Sequence, residues 1–144
     1  MSSTWYKKHN GKKGKGRAIP LNIRNYLMHR VKSTSSDAMW SAFKVDGYKK
    51  MHVKDYAMAF CPCNARASNE YADCHNLAYM VNVFVNPFII RWFSDHGINV
   101  DEEAYALSQL LQWIFRSAIR NDESINLYLP SSRMRRLLED WLDE

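Results

Sequence analysis

The chain has no run approaching the roughly 18 uncharged apolar residues that a membrane-spanning helix needs. Its basic N-terminus carries no apolar stretch of the secretory-signal kind. Both absences lead to the expectation of a soluble protein kept in the cytoplasm. Cysteine is scarce and odd in number, with three in 144 residues, which fits a reducing compartment better than a disulfide-stapled scaffold. No internal repeat is present. The glycine-rich run at 11–16, GKKGKG, lacks the spacing of a phosphate loop and follows no strand, so a Walker motif is excluded. Without that loop the acids at 101–103 are helix N-terminal acids rather than a hydrolase box. His9, His29, His52, His75 and His96 stand in no pairing with a nucleophile. The expectation is a protein that is not an enzyme and needs no cofactor.

Acid is nearly missing from the first third. Residues 1–54 hold 13 Lys and Arg against Asp37 and Asp46, a balance of +11. Residues 55–144 hold 7 Lys and Arg against 13 acids, a balance of −6, which leaves the +5 of the whole chain. The two halves can attract each other, or the basic half can meet a polyanion, of which nucleic acid is the commonest. Residues 1–17 carry Lys7, Lys8, Lys12, Lys13, Lys15 and Arg17 among glycines with no apolar periodicity. They read as a basic flexible arm, either a solvated tail or a nucleic-acid arm. Lys49 and Lys50 sit among interleaved aromatics at 47–53, a texture that suits nucleic acid as well as an ordinary amphipathic strand.

What the chain does have is hydrophobic and aromatic content, 47% and 13%, ample for one core. Apolar residues recur at helical spacing from 101 to 120, flanked by acids at the start and arginines at the end. Residues 125–129 read as a strand, and Ser131 or Ser132 caps a helix at 132–142. Residues 56–60 read as a buried strand, and 76–84 as a helical run. Pro87 opens a helix over 87–96, with Gly97 as its stop. Residues 18–31 are ambiguous between strand and helix, and 38–45 form a short apolar patch. The expected fold is α+β: a mostly helical single domain over 18–144 with a small β-sheet, preceded by the arm.

Two constellations invite chemistry. Cys61, Cys63, Cys74 and His75 place four soft or imidazole groups within fifteen residues. The C-x-C spacing and the adjacent Cys74 and His75 fit a tetrahedral zinc site poorly, and no metal is expected. Gln112, Arg116 and Arg120, spaced i, i+4, i+8, would share one helical face with no acid four residues earlier to neutralise either arginine. Arginine forks suit phosphate oxygens, though an exposed solvated face has the same spacing. Arg133, Arg135 and Arg136 extend the positive charge.

At these residues a resemblance enters. The stretches LLQWIFRSAIR at 110–120, INLYLPSSRMR at 125–135 and NARASNEY at 64–71, which includes Arg66, resemble the C-terminal segment of DEAD/DEAH helicase-like proteins of phages and integrative mobile elements. In those helicases a Gln and two Arg of the last motif meet ATP phosphates, and Gln112, Arg116 and Arg120 would correspond. The chain departs from that motif with Phe115 in place of Gly and one extra residue before the last Arg, and it lacks the ATPase motifs. The resemblance implies a fragment from a phage or mobile element, acting in the cytoplasm of a bacterial host. Its expected function is to bind nucleic acid or a nucleoprotein complex through the basic third and the helix arginines. The alternative is a protein-binding inhibitor of a bacterial defence complex, as anti-CRISPR proteins are, with a host defence protein as partner.

Overall fold

The computed structural model describes residues 4, 5, 8, 18–43, 52–64 and 69–144. Its centre is a sheet of three strands, β1 (Ala38–Ser41), β2 (Asn76–Tyr79) and β3 (Asn126–Tyr128), side by side in chain order and all parallel. Met39 stands opposite Leu77, and Leu77 opposite Leu127. Parallel strands need long connections; among the described residues two helices lie in the one from β2 to β3, and a 3-10 turn at Ala57–Ala59 in the one from β1 to β2. Helix α1 (Ala18–Asn25) precedes β1, α2 (Pro87–Asp95) and α3 (Glu102–Ile114) lie between β2 and β3, and α4 (Ser132–Leu142) follows β3. No helix among the described residues is long and apolar enough to cross a membrane.

Successive side chains of a strand point to opposite faces, and here both faces are covered. Ala38, Trp40, Ala78 and Met80 pack on one side with Ile19, Ile23 and Leu27 from α1 and its extension. Met39, Leu77 and Tyr79 pack on the other with Leu110 and Trp113 of α3 and Met134 and Leu137 of α4. All four residues of β1 and all four of β2 are buried. The result is three layers with the sheet in the middle. Trp5, within the stretch read as an arm, packs against the α1 side.

Local signals explain the helix ends. Asn86 caps α2 by accepting from the Phe88 N–H, with Pro87 at the first helical position, and Gly97 leaves in the left-handed region at φ 72°. Asp101 accepts from the N–H groups of Glu103 and Ala104 to start α3, and Ser131 caps α4. α1 runs into one wide turn over Tyr26–Arg30, where the Val31 N–H reaches the Tyr26 carbonyl at 3.1 Å. Lys32 then turns left-handed, φ 52°, and the Ser33 N–H closes back on the Leu27 carbonyl at 2.8 Å.

Three expectations are corrected. Residues 76–84 hold strand β2 followed by an extended loop, not a helix. A strand covered on both faces is apolar at nearly every position, and a short apolar run has no period that separates strand from helix. Residues 56–60 are not a strand: Ala57–Ala59 form a 3-10 turn, and Phe60 alone bridges to Trp40 at the edge of β1. The helix expected to reach residue 120 stops at Ile114. Ser117 there is extended (φ −88°, ψ −172°) and its hydroxyl donates to the Ile114 carbonyl at 2.7 Å, while the Ala118 N–H donates to the Cys74 carbonyl at 3.1 Å. The ambiguous stretch at 18–31 is helical, and the patch at 38–45 contains β1.

Candidate functional site

All three strands point the same way, so the loops that follow them gather at one end of the sheet. In parallel sheets this carboxyl end is where ligands bind. A cleft of about 370 Å³ opens there beside β1 and β2. Phe43 follows β1, Val83 and Phe84 follow β2, and Tyr105 and Gln109 come from the first turns of α3, one turn apart on one face. Cys63 and Asn64 close the far side, and Tyr79, the last residue of β2, lies at the floor. The described lining therefore has aromatic walls and two amide groups, and no charged side chain.

The floor carries the most telling feature. Ser41 and Tyr79 end their strands opposite each other, and both are fully buried. Neither the Ser41 Oγ nor the Tyr79 hydroxyl has a hydrogen-bond partner among the described residues. A buried unpartnered hydroxyl costs about 1–3 kcal/mol. The Tyr79 ring is held against Trp113, centroids 4.9 Å apart, and the Trp113 Nε1 donates to the Cys61 carbonyl at 3.2 Å. Burial pushes the Tyr79 phenol far up from 10.0, so it remains a neutral donor.

Arg133, at the start of α4, straps the rim in place. It donates to the Asn82 Oδ1 at 3.1 Å, to the Val83 carbonyl at 2.7 Å and to the Glu102 carbonyl at 3.4 Å. Its guanidinium also lies 4.7 Å from the centre of the Phe84 ring. One half-buried arginine thus joins the loop after β2, the start of α3 and the start of α4. A second depression, between Leu111, Ile119, Ile125, Leu138 and Trp141, is wholly apolar and offers a ligand nothing to orient it.

With this geometry in view, comparison with known proteins decides the family. Residues 1–142 match the family described as the YonV C-terminal Rossmann-like domain. The chain belongs to that family. The SPbeta prophage-derived protein YonV of Bacillus subtilis (strain 168) is 43% identical over 143 residues, covering 99% of this chain and 34% of that relative. The chain thus spans about a third of the relative's length. No solved structure matches. The phage-derived, C-terminal character expected from the sequence holds at the level of this family, while kinship to helicases forms no part of what the family describes. The Rossmann-like description agrees with the parallel sheet covered on both faces.

The residues singled out from the sequence fall elsewhere in this YonV-type domain. Lys7, Lys12, Lys13, Lys15, Arg17, Lys49, Lys50 and Arg66 lie outside the described residues, and Lys8 is exposed. Gln112, Arg116 and Arg120 do not form the expected helical face, because α3 ends before either arginine. The Arg116 Nε donates to the Gln112 carbonyl at 3.2 Å, and Arg120 donates to the Asn69 Oδ1 at 2.8 Å. The segment bearing both arginines meets the chain just before β2, at the end of the sheet opposite the cleft.

The four residues considered for zinc do not converge either. Among the described residues, no group of three or more His, Cys, Asp or Glu is placed to hold a metal. Cys74 donates to the Ala38 carbonyl at 3.4 Å, and Cys61 is fully buried. Burial pushes both thiols up to about 11, which disfavours the thiolate that zinc requires. His75 is engaged through both ring nitrogens, to Asp37 Oδ1 at 2.8 Å and to Glu123 Oε2 at 2.7 Å. Hydrogen bonds to Glu123 and then Asp37 raise its pKa above 6.5. Asn76 donates to Asp37, and Asn126 to Asn76, so this network clasps the amino ends of all three strands.

The lining of the cleft went unrecognised in the sequence. Tyr105 and Gln109 are spaced i, i+4 on one helix face, a visible signal. Tyr79 would have stood out as the last residue of a strand had 76–84 not been read as a helix.

Proposed function

We propose that this domain is a non-enzymatic nucleic-acid-binding module of a phage-derived protein, and that the cleft at the carboxyl end of β1 and β2 receives one unstacked base. The observation that carries this reading is an uncharged, aromatic-walled cleft with amide side chains and an unpartnered buried phenol donor. A nucleobase is a neutral, planar group with donors and acceptors on its edge. Aromatic side chains stack on such a ring, at about 1–3 kcal/mol per base. Gln109 and Asn64 each offer a donor and an acceptor, and Tyr79 a further donor. A phosphate group would need positive charge in the lining, and the described lining has none. The phosphates would instead meet the basic first third of the chain, whose balance of +11 supplies the sequence-independent part of binding. Among the described residues the lining offers no carboxylate or imidazole for acid–base catalysis, which supports a binding role.

The test is fluorescence anisotropy with labelled single- and double-stranded oligonucleotides at several salt concentrations. Single strands should bind more tightly, because their bases are free to enter the cleft. Phe84→Ala should weaken single-strand binding by about 5-fold or more, since a stacked base is worth about 1–3 kcal/mol, and Gln109→Ala by about 2- to 10-fold, the net worth of one hydrogen bond. Equal affinity for duplex, or variants that bind as the parent does, would overturn the base-receiving reading. Absence of any binding by the folded chain would turn attention to the alternative, a protein partner.

A further inference from the structure

Helix α2 is unlike the other helices: none of its nine residues is buried. Phe88 is 82% exposed and Trp92 57%, one turn apart, with Ile89 about half exposed beside them. At about 200 Å² for a fully exposed aromatic side chain, the two rings alone offer roughly 280 Å². With Ile89 the patch reaches the size of the largest apolar patch on a typical monomer, about 300–600 Å², which is often functional. The patch is also held in shape. Trp92 packs on His96 with ring centres 4.3 Å apart and meets Phe93 edge-on at 5.0 Å, while the His96 Nδ1 approaches the Trp92 carbonyl at 2.7 Å. Rings already fixed lose little freedom on binding.

We propose that α2 is a self-association surface, pairing with α2 of a second copy of the chain in antiparallel fashion about a two-fold axis. Charge supplies the argument for a second copy. Arg91 and Asp95 lie one turn apart on the same helix, and neither forms an ion pair with another described residue. An antiparallel pair sets Arg91 of each protomer against Asp95 of its partner, so the surface complements itself. The area sets the strength: two such patches bury roughly 600–800 Å² in total, less than a standard specific interface, which implies a weak, transient dimer.

Sedimentation equilibrium of the full chain from about 1 to 300 µM tests this, a range that reaches weak dimers, since even interfaces of about 1,600 Å² can be only micromolar. A monomer–dimer equilibrium is expected, abolished by Phe88→Glu with Trp92→Glu. Those side chains are exposed, so thermal melting should show the variant folded. Arg91→Asp alone should weaken the dimer about tenfold, because it breaks two symmetry-related pairs and sets like charges together. Asp95→Arg alone should act likewise, and the double reversal should restore the parent affinity. A chain that stays monomeric to about 300 µM would overturn the proposal. So would a dimer indifferent to these substitutions, which would place its contact elsewhere.

Discussion

Tyr79→Phe removes one oxygen atom from the floor of the cleft, and the structure predicts opposite effects on stability and binding. The hydroxyl is fully buried and has no partner among the described residues, so the folded state carries its desolvation cost without a hydrogen bond in return. That cost is about 1–3 kcal/mol. The ring itself, packed against Trp113, stays where it is. Tyr79→Phe should therefore stabilise the free domain by about 1 kcal/mol, the low end, since the local packing can relax around the hydroxyl. For a chain of this length that is roughly 3–5 °C in melting temperature. Binding of single-stranded nucleic acid should weaken at the same time by about 2- to 10-fold, the net worth of one hydrogen bond. Differential scanning calorimetry and urea titration read the first effect, and anisotropy the second. Ser41→Ala is the matched control: it removes the neighbouring unpartnered hydroxyl, which does not line the cleft, and should stabilise the domain without changing affinity. A loss of stability above 1 kcal/mol in Tyr79→Phe would refute the reasoning, because the hydroxyl would then have a partner. A stabilised variant with unchanged affinity would remove Tyr79 from the site.

Trp113→Ala takes a fully buried ring out of the α3–α4 face of the core and should cost about 3–5 kcal/mol in urea titration. Arg133→Ala unties the loop after β2 from α3 and α4 and should weaken single-strand binding several-fold, with a stability loss of about 1–3 kcal/mol from the carbonyls and the amide left without their donor. The clasp at the other end of the sheet gives a pH dependence. His75 has its pKa raised above 6.5 by Glu123 and Asp37, so its ion pairs contribute fully below about pH 6.5 and fade as pH rises through the raised value. The stability advantage of the parent over His75→Gln should thus be larger at pH 6 than at pH 9. It should be no more than about 1–2 kcal/mol, because both pairs are well exposed and screened by solvent. An advantage that grows with pH would contradict the assigned geometry.

Helix starts were legible because capping is local. Asn86 before Pro87, Asp101 before two glutamates and Ser131 before α4 satisfy their own first-turn N–H groups within three residues, whatever the rest of the chain does. Strand β3 was legible too, as an apolar run between turn residues. Strands β1 and β2 were not, since burial on both faces removes the alternation by which a strand is read. The end of α3 depended on a contact 44 residues away in sequence, where the Ala118 N–H meets the Cys74 carbonyl. That contact moved Arg116 and Arg120 off the helical face on which their spacing had placed them with Gln112.

The charge asymmetry, the local caps, the apolar content of a core and the resemblance to phage proteins are readable along the chain, since each is a property of neighbouring residues or of composition. The parallel order of the strands, the cleft at their carboxyl ends and the His75 clasp at their amino ends arise only when distant segments pack together. The cleft takes side chains from positions 43, 63–64, 79, 83–84 and 105–109. These stretches meet because parallel strands bring loops distant in sequence to the same end of the sheet, and no spacing along the chain encodes that meeting.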